Sequence, residues 1–184
     1  TRFLYESDDE FTRVGQEVTR QIRQSGSGST ETRWIRKDGQ RVSVLISWAP
    51  IVPAAPERGV TYAVLDITER QRAEVGLRRL AAAIEQSDEG VMITDPDGVI
   101  EYVNPAFERI TGFAADEALG RMPRLLRSGK QPPVFYEQLW ATIKAGRAWN
   151  GRFVNRRKDG VLYQEDCTIA PVFGADGAIA WFVA

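Results

Sequence analysis

The sequence predicts an α+β chain: two copies of a domain built on a five-stranded antiparallel sheet flanked by short helices, the copies joined by a helix. Two observations carry that expectation. Arg36-Lys37-Asp38-Gly39 recurs as Arg157-Lys158-Asp159-Gly160, and Ala49-Pro50-Ile51 recurs as Ala170-Pro171-Val172, both at an offset of 121 residues. A fixed internal period marks a repeated unit, here roughly 110–120 residues and an ordinary domain size. Three strand-like runs in the same order accompany each Arg-Lys-Asp-Gly turn, so the repeated unit is built on a sheet.

Taken in order, residues 8–24 read as a helix, with Phe11, Val14, Val18 and Ile22 at spacings of 3, 4 and 4. Gly26-Ser27-Gly28-Ser29 is a loop. Runs 30–36, 41–51 and 60–65 read as strands, the first two joined as a hairpin through Asp38-Gly39. Residues 52–59, with two prolines and a glycine, link the second to the third. Asp66-Ile67-Thr68 ends the sheet and opens a helix, where Thr68 and Gln71 fit a capping box. Ala73, Leu77, Leu80 and Ile84 follow at spacings of 4, 3 and 4, an a/d seam. The seam is short and carries Gly76, so it needs a surface to pack on: a dimer partner, or the sheet of its own domain.

The second copy shows its front. Residues 90–94 and 99–103 are short strands joined by Asp95-Pro96-Asp97-Gly98. Asn104 is placed to cap a short helix opened by Pro105 and ended by Gly112. A brief helix over 114–119 and a longer one over 132–145 follow, the latter with Phe135, Leu139, Trp140 and Ile143 on one face. Runs 148–157, 161–172 and 178–184 repeat the three strands of the first copy. In that register the first copy's opening strand falls roughly 30 residues before Thr1, so the chain is expected to be a piece of a longer protein.

Composition narrows the chemistry. A net charge of −1 without a basic run gives no general nucleic-acid footprint, and the apolar runs are too short for a membrane span. There is no histidine, which removes imidazole triads and histidine-ligated haem or zinc. The single cysteine, Cys167, sits in a strand-like run and reads as a buried, inert thiol. Arg152, Arg156, Arg157 and Lys158 form a cationic cluster that reads as a solvated hairpin tip ahead of a phosphate site. No nucleophile–base pairing is visible, so no catalytic residue is assigned.

Asp95-Pro96-Asp97-Gly98, Tyr102-Val103-Asn104-Pro105-Ala106-Phe107, Ile110-Thr111-Gly112-Phe113, Leu119-Gly120-Arg121, the two Arg-Lys-Asp-Gly turns and Asp66-Ile67-Thr68 together resemble PAS domains, the sensory modules of signalling proteins. The likeness covers nearly the whole chain and implies the PAS fold. It implies three parts: 1–68 as the C-terminal part of a first PAS domain, 69–86 as a signalling helix and 87–184 as a second PAS domain. From Phe135-Tyr136-Glu137-Gln138-Leu139-Trp140 through Trp149-Asn150-Gly151 to Asn155-Arg156-Arg157-Lys158-Asp159-Gly160, the second copy is similar to FAD-binding redox sensors of nitrogen-fixation and methane-oxidation regulators. In those sensors a tryptophan and an asparagine at these positions contact FAD, which implies Trp140 and Asn155 here. Strand alternation places Trp149, Gly151 and Phe153 on the face that carries Asn155, so Trp149 and Phe153 join the expected cofactor wall. The chemistry suits a flavin: an aromatic wall for the ring, a carboxamide for its polar edge.

One position departs from that pattern, Met122 standing where flavin PAS modules often have asparagine. The segment Arg121-Met122-Pro123-Arg124 lacks the cysteine of a thiol-adduct photosensor. In the first copy the register sets Thr19 opposite Trp140 and Trp34 opposite Asn155, so that copy resembles a relay or dimerisation module, with Trp34 and Trp48 packing on the sheet. The resemblance implies a non-catalytic, cytoplasmic sensor within a larger bacterial-type regulator. It further implies homodimerisation through PAS surfaces and helix 69–86, an effector such as a histidine kinase in the parent chain, and no nucleic-acid or direct membrane contact. A ligand-free interaction module, or a sensor of another small molecule, is the alternative.

Overall fold

The computed structural model describes residues 2–52 and 58–184, and the chain divides into two compact units between Arg79 and Leu80. The expected link over 52–59 falls largely on 53–57, outside the described residues. Among the described residues no helix is long and apolar enough to cross a membrane.

In the first unit, helix α1 (Asp8–Ser25) starts at Ser7, whose hydroxyl accepts from the Glu10 N–H, and stops at Gly26 in the left-handed region. Strands β1 (Gly28–Ile35), β2 (Arg41–Pro50) and β3 (Val60–Asp66) form an antiparallel sheet in that order. Alternation along β2 turns Val42, Val44, Ile46 and Trp48 into a core with Tyr5 and Val14, against which Trp34 packs. Both tryptophans therefore pack on the sheet, as expected.

Helix α2 (Thr68–Glu85) begins differently from the capping box read from Thr68 and Gln71. The Thr68 hydroxyl accepts from the Ser43 N–H at 2.9 Å, and the Gln71 amide donates to Glu31 at 2.8 Å. Asp66 instead accepts from the Thr68 N–H at 2.9 Å. A neighbouring strand with an N–H to satisfy thus takes the hydroxyl that local spacing had assigned to the helix. The a/d seam is unburied: Leu77 and Leu80 are 69% and 65% exposed, so this seam does not dock on the sheet of its own domain.

The second unit has the expected five-stranded antiparallel sheet, β4 (Met92–Thr94), β5 (Ile100–Val103), β6 (Trp149–Arg156), β7 (Leu162–Phe173) and β8 (Ile179–Val183), in spatial order β5-β4-β8-β7-β6. Between β5 and β6 come α3 (Pro105–Thr111), α4 (Ala115–Ala118), a 3₁₀ turn at Pro123–Leu126 and α5 (Pro133–Lys144). Ile100, Val103, Phe107, Ala118 and Leu126 form one core cluster, and Leu139, Ile143, Phe153 and Phe182 another between α5 and the sheet.

The Asp-Gly signals all close one kind of turn. At Arg36–Gln40, Asp95–Val99, Arg157–Val161 and Gly174–Ala178 the first N–H reaches the last carbonyl at 2.8–2.9 Å, across three loop residues. The glycine of each has φ between 77° and 90°, the left-handed conformation that any side chain would strain. The two Arg-Lys-Asp-Gly hairpins also share their register, Trp34 facing Val42 as Asn155 faces Tyr163, and Gly28 facing Trp48 as Trp149 faces Ile169.

Asn104 is fully buried and uses all its hydrogen-bonding capacity. Its Oδ1 accepts from the Val91 and Phe107 N–H groups at 2.8 and 3.0 Å, and its Nδ2 donates to the Ile84 and Glu89 carbonyls at 3.0 and 2.9 Å. Asn104→Ala strands these four groups and removes the α3 cap, so it is expected to destabilise the second unit by roughly 3 kcal/mol, read by denaturant unfolding. Amide exchange at Val91 and Phe107 should accelerate with it.

Candidate functional site

A cavity of about 260 Å³ lies within the second unit between the sheet, the 3₁₀ turn and α5. Met92, Leu126, Leu139, Ile143, Phe153 and Phe182 supply its apolar wall, and Thr94, Asn155 and Glu165 its polar side chains. Arg124 and Arg127, both exposed residues, also reach the lining, where it meets solvent. Most of the lining is hydrocarbon, with a few convergent polar groups, the make-up of a small-molecule site.

Trp140 lines the cavity from α5. It meets Phe182 edge to face with ring centroids 6.0 Å apart, and Lys144 Nζ stands 5.3 Å from its ring centroid. Gly98, in the β4–β5 turn, allows the indole this place: a Cβ there would lie 2.7 Å from Trp140 Cη2. Met122 reaches the same spot and lines the same wall. Trp140 is thus both a core residue and a cavity residue.

Asn155 and Phe153 also line the cavity, each buried on the inward face of β6. Trp149 is not part of the lining. Its indole crosses the bare face of Gly151, where a Cβ would lie 2.4 Å from the ring, and packs on Phe153 at 5.2 Å and Phe135 at 5.3 Å. It backs the wall that Phe153 presents.

Sequence reasoning missed Glu165. Asn155 Nδ2 donates to Glu165 Oε1 at 2.7 Å, so the polar groups that β6 and β7 bring to the cavity form one pair. Burial pushes the Glu165 carboxyl above the usual carboxylate range, and the hydrogen bond from Asn155 offsets part of that. The signal was present in the alternation of β7, which turns Tyr163, Glu165, Cys167 and Ile169 to one side. Tyr136, also on the lining, was passed over as well; its hydroxyl is buried without a partner, and Arg127 stacks 3.7 Å over its ring. Cys167 is half-buried and lines the cavity with its thiol pushed up to about 12, by burial first and the Glu165 charge second.

Two further expectations meet the geometry here. The cationic cluster is a paired hairpin surface: Arg152 makes a bidentate pair with Asp166 at 2.7 and 2.9 Å, and Lys158 pairs with Glu117 at 2.6 Å. In the first unit Thr19 is exposed and donates to the Gly15 carbonyl, and Trp34 belongs to the core. Among the described residues no cluster of three His, Cys, Asp or Glu side chains is placed to hold a metal ion.

Family comparison agrees with this architecture. The PAS fold family matches residues 78–184 and a second PAS domain family matches residues 2–69, so the chain belongs to the PAS family and carries two PAS regions. The nitrogen fixation regulatory protein of Klebsiella oxytoca is 37% identical over 101 residues, 55% of this chain and 20% of that protein. Blue-light-activated histidine kinase 1 of Erythrobacter litoralis is 33% identical over 101 residues, 53% of this chain and 28% of the kinase. A light-oxygen-voltage domain, solved in work on a flavin analogue, is 26% identical with a TM-score of 0.52 and covers 57% of this chain and 80% of its own. The chain therefore spans only a fifth to somewhat over a quarter of these two full-length relatives.

Gly98→Ala and Gly160→Ala impose the same left-handed strain, of about 1–2 kcal/mol, but only position 98 has an indole in the way. Gly98→Ala should therefore lower stability by more than Gly160→Ala in denaturant titrations. Equal losses would show that the Trp140–Gly98 contact does not constrain the cavity wall.

Proposed function

We propose that this stretch is a non-catalytic sensory segment of a larger cytoplasmic regulator, with the second PAS region sensing redox state through a bound flavin, FAD in the first instance. Its parts are then 1–68 as the C-terminal portion of a first PAS domain, 69–86 as the signalling helix and 87–184 as the sensor. The carrying observation is the cavity in which the apolar wall, Trp140 and the Asn155 carboxamide converge. Relatives named as a nitrogen fixation regulatory protein and a blue-light-activated histidine kinase support a sensor joined to an effector.

The residues fit the ring. Its faces need hydrocarbon and aromatic contact, which Leu139, Ile143, Phe153 and Trp140 offer. Its pyrimidine edge alternates donors and acceptors, which Asn155 and its partner can meet. The buried Tyr136 hydroxyl on the lining lacks a partner in the protein and is free to bond a ligand. At 260 Å³ the space is below the usual range of about 300–1,000 Å³ for ligand sites. It suits the ring alone, with a polar tail directed toward Arg124 and Arg127. Trp149 acts by holding Phe153 in place. A bound flavin supplies reversible two-electron redox chemistry with an accompanying change in ring protonation. That change would alter which hydrogen bonds the pocket can make in the two redox states, the differential interaction that a switch requires.

The output route in this reading is α2, its exposed seam closing against the same helix of a second copy. In the ligand-free alternative, an interaction module would use its sheet for dimerisation or partner docking without filling the cavity.

Purified protein should be yellow and release FAD on denaturation; a colourless preparation that stays empty after incubation with FAD would favour the interaction module. Asn155→Ala and Trp140→Ala should each weaken FAD binding by about tenfold or more, the worth of one buried hydrogen bond or aromatic contact. Unchanged dissociation constants in both would remove their assigned roles. Leu77→Glu with Leu80→Glu should shift the chain toward monomer in sedimentation while leaving the FAD spectrum intact. An unchanged sedimentation coefficient would exclude the seam as the dimer contact.

A further inference from the structure

The two Arg-Lys-Asp-Gly hairpins share one register, so each inward residue of β7 has a counterpart on β2. Opposite Tyr163, Glu165, Cys167 and Ile169 stand Val42, Val44, Ile46 and Trp48, an unbroken apolar core row. Val44, the counterpart of Glu165, is 3% exposed. A position that the fold fills with valine in one unit holds a carboxylic acid in the other, facing a cavity. Burying a carboxyl there costs free energy unless it is neutral or well paired, and its one side-chain bond in the structure is the one from Asn155.

That bond leaves Asn155 Oδ1 and Glu165 Oε2 to face the cavity and the Tyr163 hydroxyl, which is buried beside both without another partner. We propose that Glu165 is the specificity residue of this site: as a neutral acid it joins Asn155 in a donor–acceptor pair for the imide edge of a flavin, and on ionisation the pair becomes two acceptors and rejects that edge. The inference rests on the flavin reading above and adds a pH-gated ligand preference to it. No covalent step is involved; one proton leaves Glu165 for solvent and one hydrogen bond to the ligand is lost.

The surroundings agree. Tyr163 and Cys167 flank Glu165 on its strand, and both are held protonated by burial first and, once Glu165 ionises, by its charge. Arg124 and Arg127 also reach the lining, Arg127 through a segment whose backbone bridges Asn155, but both are exposed residues, and Arg157 lies over the Tyr163 ring at 5.6 Å. No residue of the lining other than Glu165 is acidic. The direction of pH dependence follows: with its carboxyl pushed up by burial, Glu165 favours the folded, ligand-ready state at low pH and loses that contribution as pH rises through its titration.

Two measurements on the 184-residue chain test this. Carbon-13 NMR of the ligand-free protein should give a Glu165 carboxyl titration midpoint above the ordinary glutamate range; a midpoint inside that range overturns the proposal. FAD dissociation constants across about pH 5 to 8 should rise on the order of tenfold for the wild type. Glu165→Gln, which keeps a donor at every pH, should change little over the same span. FAD bound with one common pH profile by both proteins overturns the role of Glu165 and leaves the flavin reading standing. No FAD bound by either protein at any pH overturns both.

Discussion

Asn104 has four hydrogen bonds to make inside the core, and the way it makes them joins the end of α2, the loop that leads to β4 and the first turn of α3. Its oxygen fixes the chain just before β4 and the first turn of α3; its nitrogen holds the end of α2 and the segment after it. Each bond is worth about 1 kcal/mol net, and each group left stranded in the core costs more than that. A neighbouring contact reinforces the same junction, Tyr102 donating to Glu85 at 2.5 Å. The strand that lines the cavity and the helix that leaves the unit are therefore held by one side chain.

How much of this was legible in the sequence depends on whether the deciding forces are local. The Asp-Gly turns were readable because the left-handed glycine is demanded by the turn itself. Asn104 as a cap, Pro105 at the first turn and Gly112 at the end of α3 were readable for the same reason. The Thr68–Gln71 box was misread because Ser43, distant in sequence, claims the threonine oxygen. Period-2 alternation also placed Asn155 and Phe153 on an inward face, where the cavity now includes them. It did not reveal that Trp149 would fold back over Gly151, since that depends on the room left by Phe135 and Phe153. Glu165 was open to the same rule, but its meaning needed the partner hairpin as a reference.

That reference shows how one scaffold yields two different interiors. In the first unit the β1–β2 face carries Trp34 and Trp48 with three aliphatic residues between them, so the space over the sheet is occupied by side chains of the protein itself. At the matching positions the second unit has Asn155 and Ile169, with Tyr163, Glu165 and Cys167 in the aliphatic places. Asn155, Cys167 and Ile169 are smaller than their counterparts and leave room, while Asn155, Tyr163 and Glu165 bring hydrogen-bonding capacity for a ligand. The backbone register is unchanged, so the divergence lies in side-chain volume and polarity alone.

A sensor also needs a physical connection from the cavity to its output, and the second unit supplies a short one. Met92 and Thr94 of β4 line the cavity. Met92 exchanges backbone hydrogen bonds with Ala184, and its neighbour Val91 donates to Asn104, which in turn holds the Ile84 carbonyl of α2. Adjacency of this kind conveys a signal only where some element has two arrangements of similar free energy. The Asn104–Ile84 bond is where this route enters the last turn of α2, and opening it leaves a buried carboxamide hydrogen without a partner, a cost of about 1–3 kcal/mol. A ligand that shifts β4 alters how the exposed seam of α2 is presented only if it favours the opened arrangement by that amount.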